Sequence, residues 1–197
     1  LGTGELQHIA RHLKKLSSPG PPARIYCTRP TFLMHDRTPR ILATPPASAY
    51  IKIAEGCSHH CTYCTIPSIR GPYQGRSAQS IIREAKRLAA QGVREINLIA
   101  QDTTRYERLA VLLEKLARIP GLHWIRLLYG HPLHLTEDVL RVMAAEEKIC
   151  SYIDIPLQHI ADSVLKKMGR RSTEKRIKTL LATARKLVPD IALRTTL

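Results

Sequence analysis

The 197-residue chain predicts an α/β protein with parallel strands. Three observations carry this. Apolar runs of strand length alternate with helical stretches from residue 49 onward. Most of the helical stretches are closed by Gly or Pro. The polar residues gather directly after the apolar runs, at what becomes one edge of a parallel sheet.

The strands expected are 49–54 (AYIKIA), 94–100 (REINLIA), 123–128 (HWIRLL), 151–155 (SYIDI) and 191–195 (IALRT). The helices expected are 78–91, 106–118, 136–145, 161–168 and 173–187. Gly92 follows the first helix and Gly169 the fourth, as left-handed stops. Pro120-Gly121 and Pro189 end two others, and Thr136 ahead of Glu137-Asp138 reads as a cap. Strand–helix repeats of this length call for parallel pairing, and the runs look apolar enough to be covered on both faces. Periodicity leaves an open sheet and a barrel equally available. Residues 1–18 predict a basic helix, with Leu6, Ile9, Leu13 and Leu16 at helical spacing and the run SSPGPP as its end. Residues 19–48 read as a linker, and residues 49–197 as the main domain. The chain stops just past the fifth run, where an uncovered strand would be a liability, so further strands are expected in the complete protein.

Composition narrows the function classes. No apolar run is long enough to span a membrane, and no signal-peptide pattern opens the chain, so a soluble, cytoplasmic protein without a membrane partner is expected. Five cysteines, three of them within eight residues, exclude a disulfide scaffold. Lys plus Arg outnumber the acids 31 to 16, a net charge of +15, which favours a polyanionic partner such as RNA or an assembly containing it. Seven Tyr, one Phe and one Trp are too few for a base-stacking groove.

Cys57, Cys61 and Cys64 stand in EGCSHHCTYC, directly after the first strand. A structural zinc site wants four ligands, and no second C-x2-C pair follows. Cys27 and Cys150 are isolated and read as small buried hydrophobes, and His59 and His60 as polar loop residues. An iron–sulfur cubane takes one thiolate per iron. Three protein thiolates therefore leave one iron open to an external chelator.

The remaining strand exits supply the other candidates. The second ends at Gln101-Asp102-Thr103, the third at Tyr129-Gly130-His131-Pro132, the fourth at Pro156-Leu157-Gln158-His159 and the fifth at Arg194-Thr195. The C-terminal edge is the functional one in parallel α/β folds. Gln101, Asp102 and Gln158 are candidates to bind a cofactor, and Asp102 has the alternative of shaping its own loop. Tyr63, between two cysteines, is placed to shield a bound group. Arg194 suits a carboxylate or a structural ion pair. His131, ahead of a proline, reads as structural. Arg70 and Arg76 either meet a substrate or brace the cysteine loop. No side chain is assigned as a catalytic acid or base.

IKIAEGCSHHCTYC resembles the cluster loop of the radical S-adenosylmethionine enzymes. TIPSIRGPYQGR narrows the resemblance to their methylthiotransferase branch. INLIAQDTT, IDIPLQH and LRTT are similar to the members that modify an aspartate of a small-subunit ribosomal protein, more than to the tRNA-modifying members. The resemblance implies a partial (β/α)6 radical-SAM barrel, here truncated after about five strands. It implies a [4Fe-4S] cluster on the three cysteines and S-adenosyl-L-methionine as the chelator. It also implies a second [4Fe-4S] cluster in a preceding N-terminal domain, of which residues 1–18 are the last helix. The implied partners are the ribosomal protein and an electron donor such as flavodoxin or ferredoxin. The implied reaction adds a methylthio group to the aspartate β-carbon, and the fragment alone is expected to lack full activity. A tRNA adenosine methylthiotransferase of the same branch is the alternative, and a zinc-binding structural or RNA-binding module is the alternative of another class.

Overall fold

The computed structural model describes residues 1–17 and 25–197. Thr3–His8 form a 3-10 turn that continues into helix α1, Ile9–Leu16. The first half of the predicted helix is thus wound more tightly. Buried Glu5 is held there by His12 Nε2 at 2.8 Å and by the Thr28 hydroxyl. Apart from Ser17, the Pro/Gly run expected to end this helix lies outside the described residues.

Five strands form one parallel sheet: β1 (Ser48–Lys52), β4 (Glu95–Ile99), β5 (Trp124–Leu127), β6 (Ile149–Asp154) and β7 (Ala192–Arg194), paired in that order. Two short strands, β2 (Ala54–Glu55) and β3 (Gln74–Gly75), pair antiparallel on either side of helix α2 (Ile66–Arg70). The crossover helices are α3 (Ala78–Ala90), α4 (Leu109–Ala117), α5 (Glu137–Ala145), α6 (Asp162–Lys167) and α7 (Glu174–Leu187).

The strand order never reverses. Each new strand joins the same side of the sheet, and α3, α4, α5 and α7 touch in succession along one face. A doubly wound sheet needs a reversal and helices on both faces. The arrangement is therefore the partial (β/α)6 barrel with five strands, which settles what periodicity left open.

Registered neighbours show how the two faces differ. Ile51, Leu98, Leu127 and Ile153 lie side by side toward the helices, and all are buried. Ile81, Leu88, Leu112, Leu113, Leu116 and Leu140 pack against them from α3, α4 and α5, with almost no exposure. Each such side chain contributes about 1.5–3 kcal/mol by leaving water. The opposite face carries Tyr50, Asn97 and Arg126 in register, and Arg126 stacks 5.2 Å from the Tyr152 ring centroid. The expectation of strands covered on both faces is therefore wrong. The sequence alternates, and only the helix-facing half is uniformly apolar, while the opposite face mixes Ile99 and Trp124 with Asn97 and Arg126.

Local signals explain the helix ends. The Ser77 side chain accepts the Ser80 N–H and starts α3, and Gly92 at φ +95° stops it. The Thr173 side chain caps α7 in the same way. Thr136 occupies the cap position of α5 without a side-chain cap bond.

Candidate functional site

The cysteine loop begins where β1 runs into β2. Gly56 takes φ +74°, and a Cβ there would sit 2.2 Å from the Pro72 carbonyl oxygen. Only glycine allows this crossing. The Cys57 N–H then donates to the Gly71 oxygen at 3.0 Å, and the Tyr73 N–H to Ser58 Oγ at 3.1 Å. These bonds tie the loop to the β2–β3 hairpin. Arg70 pairs with Glu55 at 3.6 Å. Arg76 is buried, donating to the Lys52 oxygen at 2.7 Å and pairing with Glu84 at 2.8 Å. Both arginines brace the hairpin.

On its far side the loop rests on the end of α6. The Thr62 N–H donates to the Met168 oxygen at 3.0 Å. Gly169, at φ +68°, would place a Cβ 2.6 Å from the His60 oxygen. The Gly169 N–H returns to Lys166 and the Arg170 N–H to Leu165, a paired closure that satisfies the last carbonyls of the helix.

Cys57, Cys61 and Cys64 are free thiols, each half-buried. Burial pushes the Cys57 thiol up, and the Asp102 carboxylate adds to this against a hydrogen bond from the His59 N–H. The other cysteines stand apart. Cys150 opens β6 at the opposite edge of the sheet, half-buried, and Cys27 is exposed rather than buried as expected. Cys27 belongs to an extended segment whose neighbour Tyr26 accepts the Gly2 N–H.

The cysteine loop is joined laterally to the other strand exits through Asp102. This carboxylate is 1% exposed. Its Oδ1 accepts the Thr104 hydroxyl at 2.9 Å and the Arg105 N–H at 3.1 Å. Its Oδ2 lies 2.8 Å from His59 Nε2 and 2.6 Å from His134 Nδ1. Burial alone would raise its pKa, but hydrogen bonds from His134 and His59 overcome burial and hold it well below 3.8. An ionised carboxylate only accepts, so both imidazoles donate to it. His131 stacks on His59, with centroids 4.0 Å apart and planes 13° from parallel. Burial, with help from His59 and Arg170, lowers the His131 pKa to about 3, so this ring is neutral at pH 7.

His59, Asp102, His131 and His134 have ligand atoms within 4.8 Å of one another, close enough to hold a metal ion. Four protein donors already fill the Asp102 oxygens, so hydrogen bonding alone accounts for the cluster. Sequence reasoning placed His59 as a plain loop residue and did not join the three histidines. The available signal was two histidines three apart at a strand exit, His131 and His134, beside a third inside the cysteine motif.

The other candidates lie along the same edge. Gln101 is partly buried, and its Oε1 has no hydrogen-bond partner. Gln158 adopts φ +73°, and its N–H donates to the Thr196 oxygen at 2.8 Å. Tyr129, at the β5 exit, is likewise left-handed at φ +59°. Such conformations in non-glycine residues cluster at functional edges. Tyr63 is half exposed, with its hydroxyl 3.2 Å from Arg170 Nη1. Arg194 pairs with Asp154 at 3.7 Å, and its side chain is 64% exposed.

The donor set fits an iron–sulfur cluster better than zinc. It is all sulfur, it has three members, and His59 inside the loop is committed to Asp102. Among the described residues no helix is long and apolar enough to cross a membrane.

Comparison with known proteins agrees with this geometry. The chain is 48% identical to the ribosomal protein uS12 methylthiotransferase RimO of Syntrophus aciditrophicus, over all of this chain and 46% of that protein. Identity is 46% to the same enzyme of Geobacter sulfurreducens and 43% to that of Clostridioides difficile, over 45% and 46% of their lengths. The chain thus spans about half the length of these relatives. In fold it is similar to the radical S-adenosylmethionine methyltransferase TsrM of Kitasatospora setae, with TM-score 0.62 and 21% identity over 76% of this chain and 30% of that one. The cobalamin-dependent enzyme OxsB gives TM-score 0.60 and 13% identity, over 76% of this chain and 23% of that one. The family model for the radical SAM superfamily matches residues 51–197. With three free thiols on the loop after the first strand of a partial barrel, the chain belongs to the radical SAM superfamily.

Proposed function

We propose that the parent of this chain is a radical S-adenosylmethionine methylthiotransferase. Its target is the β-carbon of an aspartate in the small-subunit ribosomal protein uS12. The observation that carries this reading is the three-cysteine loop on a parallel edge, in a chain 48% identical to an enzyme of that name. The net charge of +15 suits a substrate presented within or near ribosomal RNA.

Cys57, Cys61 and Cys64 are the residues that hold the cluster. Bound there, a [4Fe-4S] centre with S-adenosylmethionine supplies the reductive radical chemistry that an unactivated C–H bond requires. The chain's own residues bind and orient. Gln101 offers a free buried acceptor to a ribose or amino group. Gln158 is held at the mouth by its strained backbone, and Tyr63 flanks the thiols. Arg194, with its outer face open, reaches a carboxylate once Asp154 shares it. Asp102 acts by holding the loops.

Residues 1–18 are proposed to end a preceding domain that carries a second [4Fe-4S] cluster, and 19–48 to link it to the barrel. A cytoplasmic location and a flavodoxin or ferredoxin as reductant follow from the same reading.

The test is anaerobic reconstitution of the full-length protein, incubation with uS12, S-adenosylmethionine and reductant, and mass spectrometry of the product. A methylthio increment on one aspartate supports the proposal. The same increment on tRNA adenosine, with uS12 unchanged, replaces it, and a protein that holds zinc and no iron removes it.

A further inference from the structure

We propose that Arg170 is the buried counter-charge of the three-cysteine site, and that its guanidinium makes a cluster bound there easier to reduce. The inference deepens the function proposed above and rests on it.

Arg170 is only 9% exposed. A buried guanidinium demands an anion, because desolvating an unpaired charge is expensive. Among the described residues no carboxylate lies within ion-pair distance of it. Its partners are neutral or sulfur. Nη2 donates to the Pro156 oxygen at 2.7 Å, and Nη1 to the Tyr63 hydroxyl at 3.2 Å. Nη1 also lies 4.0 Å from Cys61 Sγ. Nε is buried with no partner at all. The other buried arginine of the domain, Arg76, is matched by Glu84 at 2.8 Å. Arg170 is thus a buried cation with no carboxylate partner among the described residues, and Cys61 Sγ beside it becomes anionic when it holds a cluster.

Its placement follows from the backbone. Gly169 turns left-handed to close α6, and Arg170 is the next residue, its N–H fixed to Leu165 at 2.9 Å. The same turn carries the cysteine loop, through the Thr62–Met168 bond. One structural device therefore sets both the loop and the charge beneath it.

A positive charge this close stabilises the more negative, reduced state of a thiolate-bound cluster. Coulomb's law at about 4 Å makes the effect large wherever the local dielectric is well below that of water.

The test uses the full-length protein, reconstituted anaerobically as wild type, R170K and R170Q. Iron and sulfide are counted, and the midpoint potential is followed by electron paramagnetic resonance. No S-adenosylmethionine is present, so a shift cannot come from that ligand's carboxylate. R170Q is expected to keep its iron and to lose at least tenfold in the ratio of reduced to oxidised cluster at fixed applied potential, a negative shift of about 59 mV for one electron. R170K, which keeps the charge, is expected to move less than half as far. If R170Q loses iron while R170K holds it, at equal thermal unfolding midpoints, the counter-charge role also stands. An R170Q potential equal to wild type overturns it, and so does loss of iron from both variants. Absence of iron from the wild type would sink the proposed function instead, leaving a different record from any failure of Arg170.

Discussion

Replacing Asp102 by alanine is the sharpest perturbation of the site that leaves every cysteine in place. The carboxylate accepts from four donors: the Thr104 hydroxyl, the Arg105 N–H, His59 Nε2 and His134 Nδ1. In Asp102→Ala all four lose their acceptor in a site that is 1% exposed. Hydrogen bonds to charged groups are worth about 1.5–3 kcal/mol each, but they share one acceptor and do not add. Breaking a buried charged network at one partner costs roughly 3–5 kcal/mol. For a chain of this size that lowers the unfolding midpoint by roughly 6–20 °C. Asp102→Asn keeps an oxygen for Thr104 and Arg105 and forces the histidines to accept, so its loss is expected to be smaller. The sign with pH is also fixed. The folded carboxyl lies below 3.8, so its contribution is complete above the unfolded value of about 3.9 and disappears as pH falls through the folded pKa. The assay is denaturant unfolding of wild type and variant at pH 7 and again below pH 4. A loss under about 1 kcal/mol at pH 7, or a loss that does not shrink in acid, refutes the idea of a carboxylate keystone.

Three further outcomes are expected. His131 has its pKa depressed to about 3, so the unfolded chain binds its proton first. Stability should then fall by about 1.4 kcal/mol per pH unit from pH 6.5 downward, and His131→Asn should remove that slope in unfolding titrations. Gly169→Ala is expected to cost about 2–3 kcal/mol, combining left-handed strain with a Cβ 2.6 Å from the His60 oxygen. Gly92→Ala, where no atom lies within 4 Å, should show the strain alone, about 1 kcal/mol, and equal losses would contradict the close packing. Each of Cys57→Ser, Cys61→Ser and Cys64→Ser is expected to abolish iron retention after anaerobic reconstitution, while Cys27→Ser and Cys150→Ser retain it.

The sheet was legible because each long strand carries its own period and is separated from the next by a full helix. All five fall within two residues of the expected bounds. The hairpin of Ala54–Glu55 with Gln74–Gly75 was not, since two-residue strands leave no period to read. Helix Ile66–Arg70 escaped for the same reason of length. The 3-10 turn Thr103–Arg105, capped by Asp102, is likewise too short to leave a period. At the site, the cysteine loop stood out from spacing alone, because its three cysteines are close in sequence. The Asp102 network was not, because its members are spread from position 59 to position 134 and meet only when the strands align. Arg170 was hidden similarly. The sequence marks Gly169 as a stop, but the direction of the residue after a left-handed turn depends on what the turn packs against.

The loop is gripped from both sides by contacts that involve no sulfur. Asp102 holds it through His59, and the end of α6 holds it through Thr62 and the close approach of Gly169 to His60. Between those anchors lie Cys57, Cys61 and Cys64, within a span of eight residues. These contacts restrain the loop backbone on both sides of the cysteines, which lowers the cost of ordering it when a ligand binds. The same anchoring bears on the metal proposed for the site. Zinc closes its shell with four protein donors, and the fold has drawn His59 away to Asp102 and left Cys150 at the opposite edge. With His59 bound to Asp102 and Cys150 at the opposite edge, neither is free to join Cys57, Cys61 and Cys64 as a fourth donor, which favours the open-site reading proposed above.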